Sequence, residues 1–460
     1  MDITKTLIEF ALNTNADDIP VEYLKVQNNS LIDAIGTMQA ATSQCEVFSN
    51  FIEYARARSE DRKCKIFSTD LYVMPDTAAF VNGALSHAMD LEDTCQAAVL
   101  HSNAVTTPAL LALAQYKGNV SGKDLVSALL IGSEIACRIS IACGEDLSKH
   151  GWYMPPVFGS YGAVLAGCRL MGYNYNQTLD ALAANSYSVS GLSQMIDDKK
   201  SLMRAVRDGF GARSAVQSVL FAEKNSSLGF ENFFEGDKGF FKAYAKLGCK
   251  PEILIENLGK KYYASELVFK FWPACLGCHT SIQSTIEVMK ENDLLFSDIL
   301  SAHVKGSDFV RSIVVDPRDV KNRPITAISA KFSLPYCMGL AAKRGKVQLS
   351  DFLPENIPDE DIYDFAKRVS FEVNPELTEK WQGNFVDIIF HTKKGDYTKH
   401  REAALGDPSC PFSDEQFKEK FRSCMVLSAN KYSEDEIEKL YSLLNNILSV
   451  DSVLPIINMM

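Results

Sequence analysis

At 460 residues, 46% hydrophobic and 23% charged, the chain is too long for one ordinary core and is expected to form two domains. A net charge of -11 disfavours a general nucleic-acid surface, although a few arginines can still build a local basic pocket for a small anion. No run of 18 uncharged apolar residues occurs and the opening MDITKTLIEF mixes acid and base, so neither a membrane span nor a secretory signal is expected and the chain reads as cytoplasmic. Twelve cysteines are scattered, with Cys137, Cys143 and Cys168 on apolar helical runs; without an export signal they read as reduced thiols filling core space.

Residues 3–15 and 20–37 carry helical spacing. The second opens with Pro20, suited to the first helical position, and Val21, Leu24, Leu31, Ile32 and Ile35 form its apolar face. Residues 45–57 and 76–92 follow as helices, Asp76 being placed to cap the latter. On that helix His87, Asp90, Asp93 and Thr94 fall at i, i+3, i+6 and i+7 along one stripe, among Ala84, Leu85, Ala88 and Leu91. Buried charge of this kind needs a partner or a ligand; a helix-cap network is the plainer alternative. Gly83 costs the helix about 1 kcal/mol against Ala, which implies close approach by another backbone. His101 comes next, in a polar loop.

Residues 103–117, 123–144, 158–172, 176–189 and 201–221 alternate helix with short connections, so 1–265 reads as an all-helical domain. The texture then changes. Residues 270–281 (KFWPACLGCHTS) are irregular, 281–290 helical, 310–315 (VRSIVV) alternate like a strand, and 331–345 return to helix. Residues 369–373 and 385–392 read as strands, the second turning at Lys394-Gly395-Asp396. The stretch 266–399 is therefore expected as an α+β domain. Helices near 413–427 and 434–448 belong to a tail, 400–460, that completes the first domain. The fold class is mostly α: a large helical domain with a smaller α+β lid.

Cys275, Cys278 and His279 form a CxxCH string. Haem attachment would need an oxidising assembly route and zinc two more ligands at suitable spacing, so no metal is expected. His279 reads as an active-site side chain with the cysteines packed beneath it, and Cys278 as a nucleophile stays open. Residues 208–212 (DGFGA) hold a GxG without a preceding strand or a third glycine, which is not a dinucleotide fingerprint. Lys199, Lys200, Arg204 and Arg207 stand out in an acidic chain. Arg204 and Arg207, three apart on one helical face, suit recognition of a planar carboxylate; a solvated basic face is the alternative. Tyr153, in GWYMPP (151–156), either caps the core or serves as a proton donor or base.

Together these segments resemble the MmgE/PrpD family. The resemblance runs over nearly the whole chain: Leu31-Ile32-Asp33 with Gly36, NGALSHAMDLEDT with His101, GKDLVSALLIGSEIACRI (122–139), GSYGAVLAGCRLMGYN (159–174), 204–212, WPACLGCH (272–279), NRP (322–324) and AKFSLPY (330–336). It implies a helical domain built from both termini, an α+β lid, a homodimer, and an active site in the cleft between domain and lid with no cofactor. The family's DxxDT positions correspond to Asp90, Asp93 and Thr94, its following histidine to His101 and its lid histidine to His279. Two motifs depart. Where many members read G-[FY]-H-x-T, this chain reads Gly151-Trp152-Tyr153-Met154-Pro155, and K-x-L-H-x-G becomes Arg204-Ala205-Val206-Arg207-Asp208-Gly209.

Arginine holds a carboxylate well but is a poor acid or base, so the departures strengthen clamping and remove titratable groups. The resemblance thus implies a small anionic polycarboxylate substrate bound by Thr94, Arg204 and Arg207, with Asp90, His101, Tyr153 and His279 left to move protons. A lyase that starts from an α-proton, a dehydratase or decarboxylase, comes first. An epimerase or isomerase of a dicarboxylate such as iminodisuccinate, using Tyr153 and a histidine, is the alternative. A third reading is a non-catalytic carboxylate-binding protein.

Overall fold

The computed structural model describes residues 2–59, 63–144, 151–196, 198, 200–224, 227–245, 248–376 and 385–460. It is mostly helical, with two large buried apolar clusters among the described residues. One draws on residues from Ile3 to Leu267 and again from Phe417 to Met460; the other runs from Trp272 to Ala404. The C-terminal helices Asp414–Val426 and Glu434–Asn445 pack on the long helix Val21–Gln44 through Phe417, Phe421, Ile437 and Leu440.

Close helix crossings organise the first cluster. Helix Pro75–Ser86 meets helix Asp208–Ala222 where Gly83 faces Gly209: a Cβ on Gly83 would lie 2.8 Å from the Gly209 Cα. A Cβ on Gly209 would lie 2.8 Å from the Ala84 nitrogen and run into the Phe80 carbonyl. The glycine inside the helix is thus explained by backbone-to-backbone contact. Helix Gly122–Cys143 is long and apolar enough by composition to cross a membrane, yet 94% of that stretch is buried inside the fold. There it carries the buried pair Arg138–Glu134, Nε to Oε1 2.6 Å.

The second cluster lies against a four-stranded sheet in the order Val369–Val373, Ile299–Gly306, Val386–Thr392, Gly395–Arg401. The first pair is parallel and the other two antiparallel. The hairpin turns at Lys393-Lys394, one residue before the expected position. Strand Ile299–Gly306 escapes sequence reading because Ala302, Val304 and Gly306, interrupted by an irregularity near Leu300, carry its buried face. The strand expected over 310–315 is helical: Asp308–Val310 leads into the wider turn Arg311–Val315. Ser307 starts it, its hydroxyl accepting from the Val310 N–H at 3.2 Å, and Val310 and Val314 fall on one buried face. The expected helix 331–345 is Leu334–Arg344, preceded by Ala327–Lys331, and Ser333 caps it.

Gly209→Ala is expected to destabilise the fold by about 1–3 kcal/mol, the usual cost of overpacking a tight contact. The thermal unfolding midpoint reads this, and an unchanged midpoint would contradict the crossing.

Candidate active site

Helix Pro75–Ser86 stops short of the expected 92. Pro75 and Met74 begin it, and Asp76 is not its cap but accepts from Gln217 Nε2 at 3.0 Å. Beyond Ser86 the chain turns tightly: His87 is the C-cap, and Asp90 adopts φ +49°, a left-handed conformation that Asp tolerates better than most residues. His87, Asp90, Asp93 and Thr94 therefore do not form one helical stripe. Carbonyls that a helix would have consumed are left over, and three lysines take them. Lys331 Nζ donates to Ala88 O at 3.3 Å, Lys270 Nζ to Asp90 O at 3.3 Å, and Lys420 Nζ to Leu91 O at 2.9 Å. Lys270 also holds Asp90 Oδ1 at 2.6 Å, and Lys420 pairs with Asp33.

The turn presents Glu92 to two imidazoles. Glu92 Oε1 accepts a short hydrogen bond from His87 Nδ1 and lies 3.2 Å from His101 Nδ1. His101 Nδ1 also donates to the Asp93 carbonyl at 3.1 Å and meets Thr94 Oγ1 at 3.0 Å. A carbonyl can only accept, so Nδ1 carries the proton and Nε2 the lone pair. The same logic leaves the lone pair of His87 on Nε2, which has no hydrogen-bond partner among the described residues. His279 donates from Nε2 to Ala274 O at 3.2 Å, which leaves Nδ1 bare and likewise unpartnered among the described residues. The two rings of His87 and His101 pack 4.7 Å apart.

Burial holds all three imidazoles neutral. It lowers His87 and His101 well below 6.5, helped by Arg207 and Lys270, and it takes His279 down to about 3 with Lys270 adding to the effect. Asp93 is different: buried behind the turn against Ser30 and Asn103, it is pushed up to about 7.

The arginines do not share one uninterrupted helix. Arg204 lies on the short helix Met203–Val206, and Arg207 is the junction to Asp208–Ala222, its Nη1 donating to the Arg204 carbonyl. The guanidinium of Arg204 lies 3.5 Å above the Phe332 ring, and that of Arg207 4.6 Å from the centre of the Tyr153 ring. Arg207 approaches Asp208 at 3.6 Å, and burial pushes that carboxyl up to about 6. Arg204 Nε, Arg207 Nε and Arg207 Nη2 are buried without a hydrogen-bond partner among the described residues. Unpaired buried donors of this kind are rare and point to a missing acceptor. Lys200 of the expected basic cluster is exposed and outside this group, and Lys199 lies outside the described residues.

Arg207 bears on His87, Asp90 and His101 and is flanked by Tyr153, and Arg204 bears on His87; His279, held by Ala274 and packed on Trp272, bears instead on Lys270. Thr94, expected to bind substrate, spends its hydroxyl on His101. Cys278 fits a nucleophile poorly, since burial raises its thiol well above the ordinary value, and Cys275 is pushed up to about 12. Glu92, Lys270 and Lys331 were not singled out from the sequence, although each lies in or beside a quoted motif; a lysine inside an apolar motif is the signal that was available. His87, Asp90, Glu92 and His101 offer ligand atoms within 4.8 Å of one another, a spacing a divalent cation would accept. The Lys270 ammonium already occupies Asp90, and the charge of Arg207 bears on both imidazoles, so the arrangement suits an anion better.

The model of the MmgE/PrpD N-terminal domain matches residues 5–250, and that of the MmgE/PrpD C-terminal domain residues 272–446. A cis-aconitate decarboxylase-like protein of Aspergillus oryzae is 24% identical over 98% of this chain and 95% of its own. Cis-aconitate decarboxylase of Aspergillus terreus is 23% identical over 99% and 96%, and that of Homo sapiens 24% identical over 91% and 86%.

Because His279 falls from 6.5 to about 3 on folding, the unfolded chain binds a proton across that window that the folded chain refuses. Its contribution to stability therefore falls as pH drops from 6.5 towards 3. Asp93 and Asp208, raised on folding, act with the opposite sign, so the measurement is a difference. His279→Gln, which can still donate to Ala274, should gain thermal stability relative to the parent as pH falls through that window. A constant difference would contradict the neutral buried imidazole.

Proposed function

The chain belongs to the MmgE/PrpD family, and we propose that it is a lyase of the dehydratase or decarboxylase type acting on a small di- or tricarboxylate by carbanion chemistry without a cofactor. The observation that carries this reading is a neutral His101, beside Glu92, on which the charge of Arg207 bears, together with the unpaired donors of Arg204 and Arg207. The relatives named for cis-aconitate decarboxylation support the substrate class.

In this reading the arginines grip a carboxylate whose oxygens take on negative charge when the adjacent carbon loses a proton or carbon dioxide. In a dehydration His101 Nε2 accepts the α-proton, and Glu92 stabilises the imidazolium that forms. Hydroxide then leaves from the neighbouring carbon with a proton supplied by an acid, the double bond forming from the C–H electron pair. In a decarboxylation the C–C bond electrons pass into the conjugated carboxylate, and a protonated group returns a proton to carbon. Tyr153, whose ring lies against Arg207, takes the part of that acid. Because the imidazole is neutral to well below pH 6.5, the base form persists through the neutral range.

A second reading, an epimerase, is favoured by Tyr153 standing where many family members carry histidine, since a phenol and an imidazole are an unlike acid and base. Proton NMR in D2O with cis-aconitate and related polycarboxylates distinguishes the two. New alkene signals or loss of carbon dioxide support the lyase, deuterium exchange without change of skeleton supports the epimerase, and binding without either leaves a non-catalytic binder.

Arg207→Ala should lower kcat/KM at least about 100-fold by removing stabilisation of the developing charge. His101→Asn should lower kcat about 100- to 10,000-fold with KM less affected. Unchanged steady-state kinetics in either variant would overturn the assignment.

A further inference from the structure

Three lysines surround the turn after Ser86, and they differ in one respect. Lys270 pairs with Asp90, and Lys420 with Asp33. Lys331 is 3% exposed and has no carboxylate within 4.0 Å among the described residues. Its ammonium has three protons and makes one long hydrogen bond, to Ala88 O at 3.3 Å. A buried cation without a counter-ion is costly and persists where something else supplies the charge.

The space beside it is open. Lys331 lines a cavity of about 30 Å³ between the two apolar clusters, with Cys45, Ala88 and Met89 on one side and Ile328 and Phe352 on the other. That is room for one or two waters, or for the two oxygens of a carboxylate. Leu202 and Ala205, on either side of Arg204 in sequence, line the same cavity, so it lies beside the segment that carries Arg204. The groups bearing on Lys331 are Asp90, Cys45, Glu92 and Lys270; Glu46, at the rim, is exposed. Burial lowers the ammonium to about 8, so it still carries its charge at neutral pH.

We propose that Lys331 is a second carboxylate anchor of the cleft, taking one acid group of a polycarboxylate while Arg204 and Arg207 take another. The inference rests on the polycarboxylate reading above and deepens it: a substrate with a single carboxylate would leave Lys331 unpaired. A lysine suits the position, because a compact ammonium fits a cavity too small for a guanidinium fork.

Calorimetric titration of the full chain with glutarate and with butyrate, which keeps one carboxylate and lacks the other, tests this. Wild type should bind glutarate at least about tenfold tighter than butyrate near neutral pH. Lys331→Met should abolish the ratio, and Lys331→Arg should not exceed the wild-type ratio. Should Lys331→Met fail to fold, the wild-type ratio itself decides, since it should shrink as pH rises through about 8 and the ammonium is lost. Equal affinity for both probes in wild type, or a ratio untouched by Lys331→Met and by pH, would overturn the anchor and leave the function reading standing. Binding of neither probe would overturn both.

Discussion

Three ammonium groups converge on the carbonyls of one turn, Lys331 on Ala88, Lys270 on Asp90 and Lys420 on Leu91, and the rest of the site depends on that contact. A helix consumes its carbonyls internally; a turn that leaves them free inside a core must find donors elsewhere. Here the donors come from the second apolar cluster, from the connection between the clusters and from the C-terminal tail. Each part of the chain is thereby fastened to the turn that carries the candidate site. With the turn fixed, Glu92 faces His87 and His101, and the left-handed Asp90 meets Lys270.

The same lysines set the electrostatics. Arg207 and Lys270 bear on both His87 and His101, with Asp90 opposing them at His87 and Glu92 at His101. Imidazoles in such a field stay unprotonated, which keeps their lone pairs available and leaves the positive charge to the fixed arginines and lysines. A cleft that joins neutral bases to unsatisfied cationic donors complements an anion that becomes more negative at its carboxylate as it reacts.

Much of this was legible in the sequence. The helical character of the first 265 residues, the late strands and the family resemblance follow from spacing and ordered motifs, and Gly83 announced its own contact. The turn did not show itself. Ala84 to Leu91 reads as a helix because each residue there is compatible with one; the helix is stopped by lysines 180 to 329 residues away in sequence, which no local pattern encodes. Likewise the rings against which the guanidiniums of Arg204 and Arg207 lie, Phe332 and Tyr153, are remote from them in sequence. Glu92 was overlooked because a carboxylate that braces a histidine looks, in a string, like any acid beside Asp90 and Asp93.

The central claim is that this lysine-braced turn holds His101 as a neutral imidazole protonated on Nδ1, with its lone pair on Nε2. Nitrogen-15 NMR of histidine-labelled protein titrated with acid measures that tautomer directly. The account predicts an Nδ1–H signature for His101 at neutral pH that persists well below pH 6.5. A His101 that is an imidazolium at pH 7, or that carries its proton on Nε2, would contradict it.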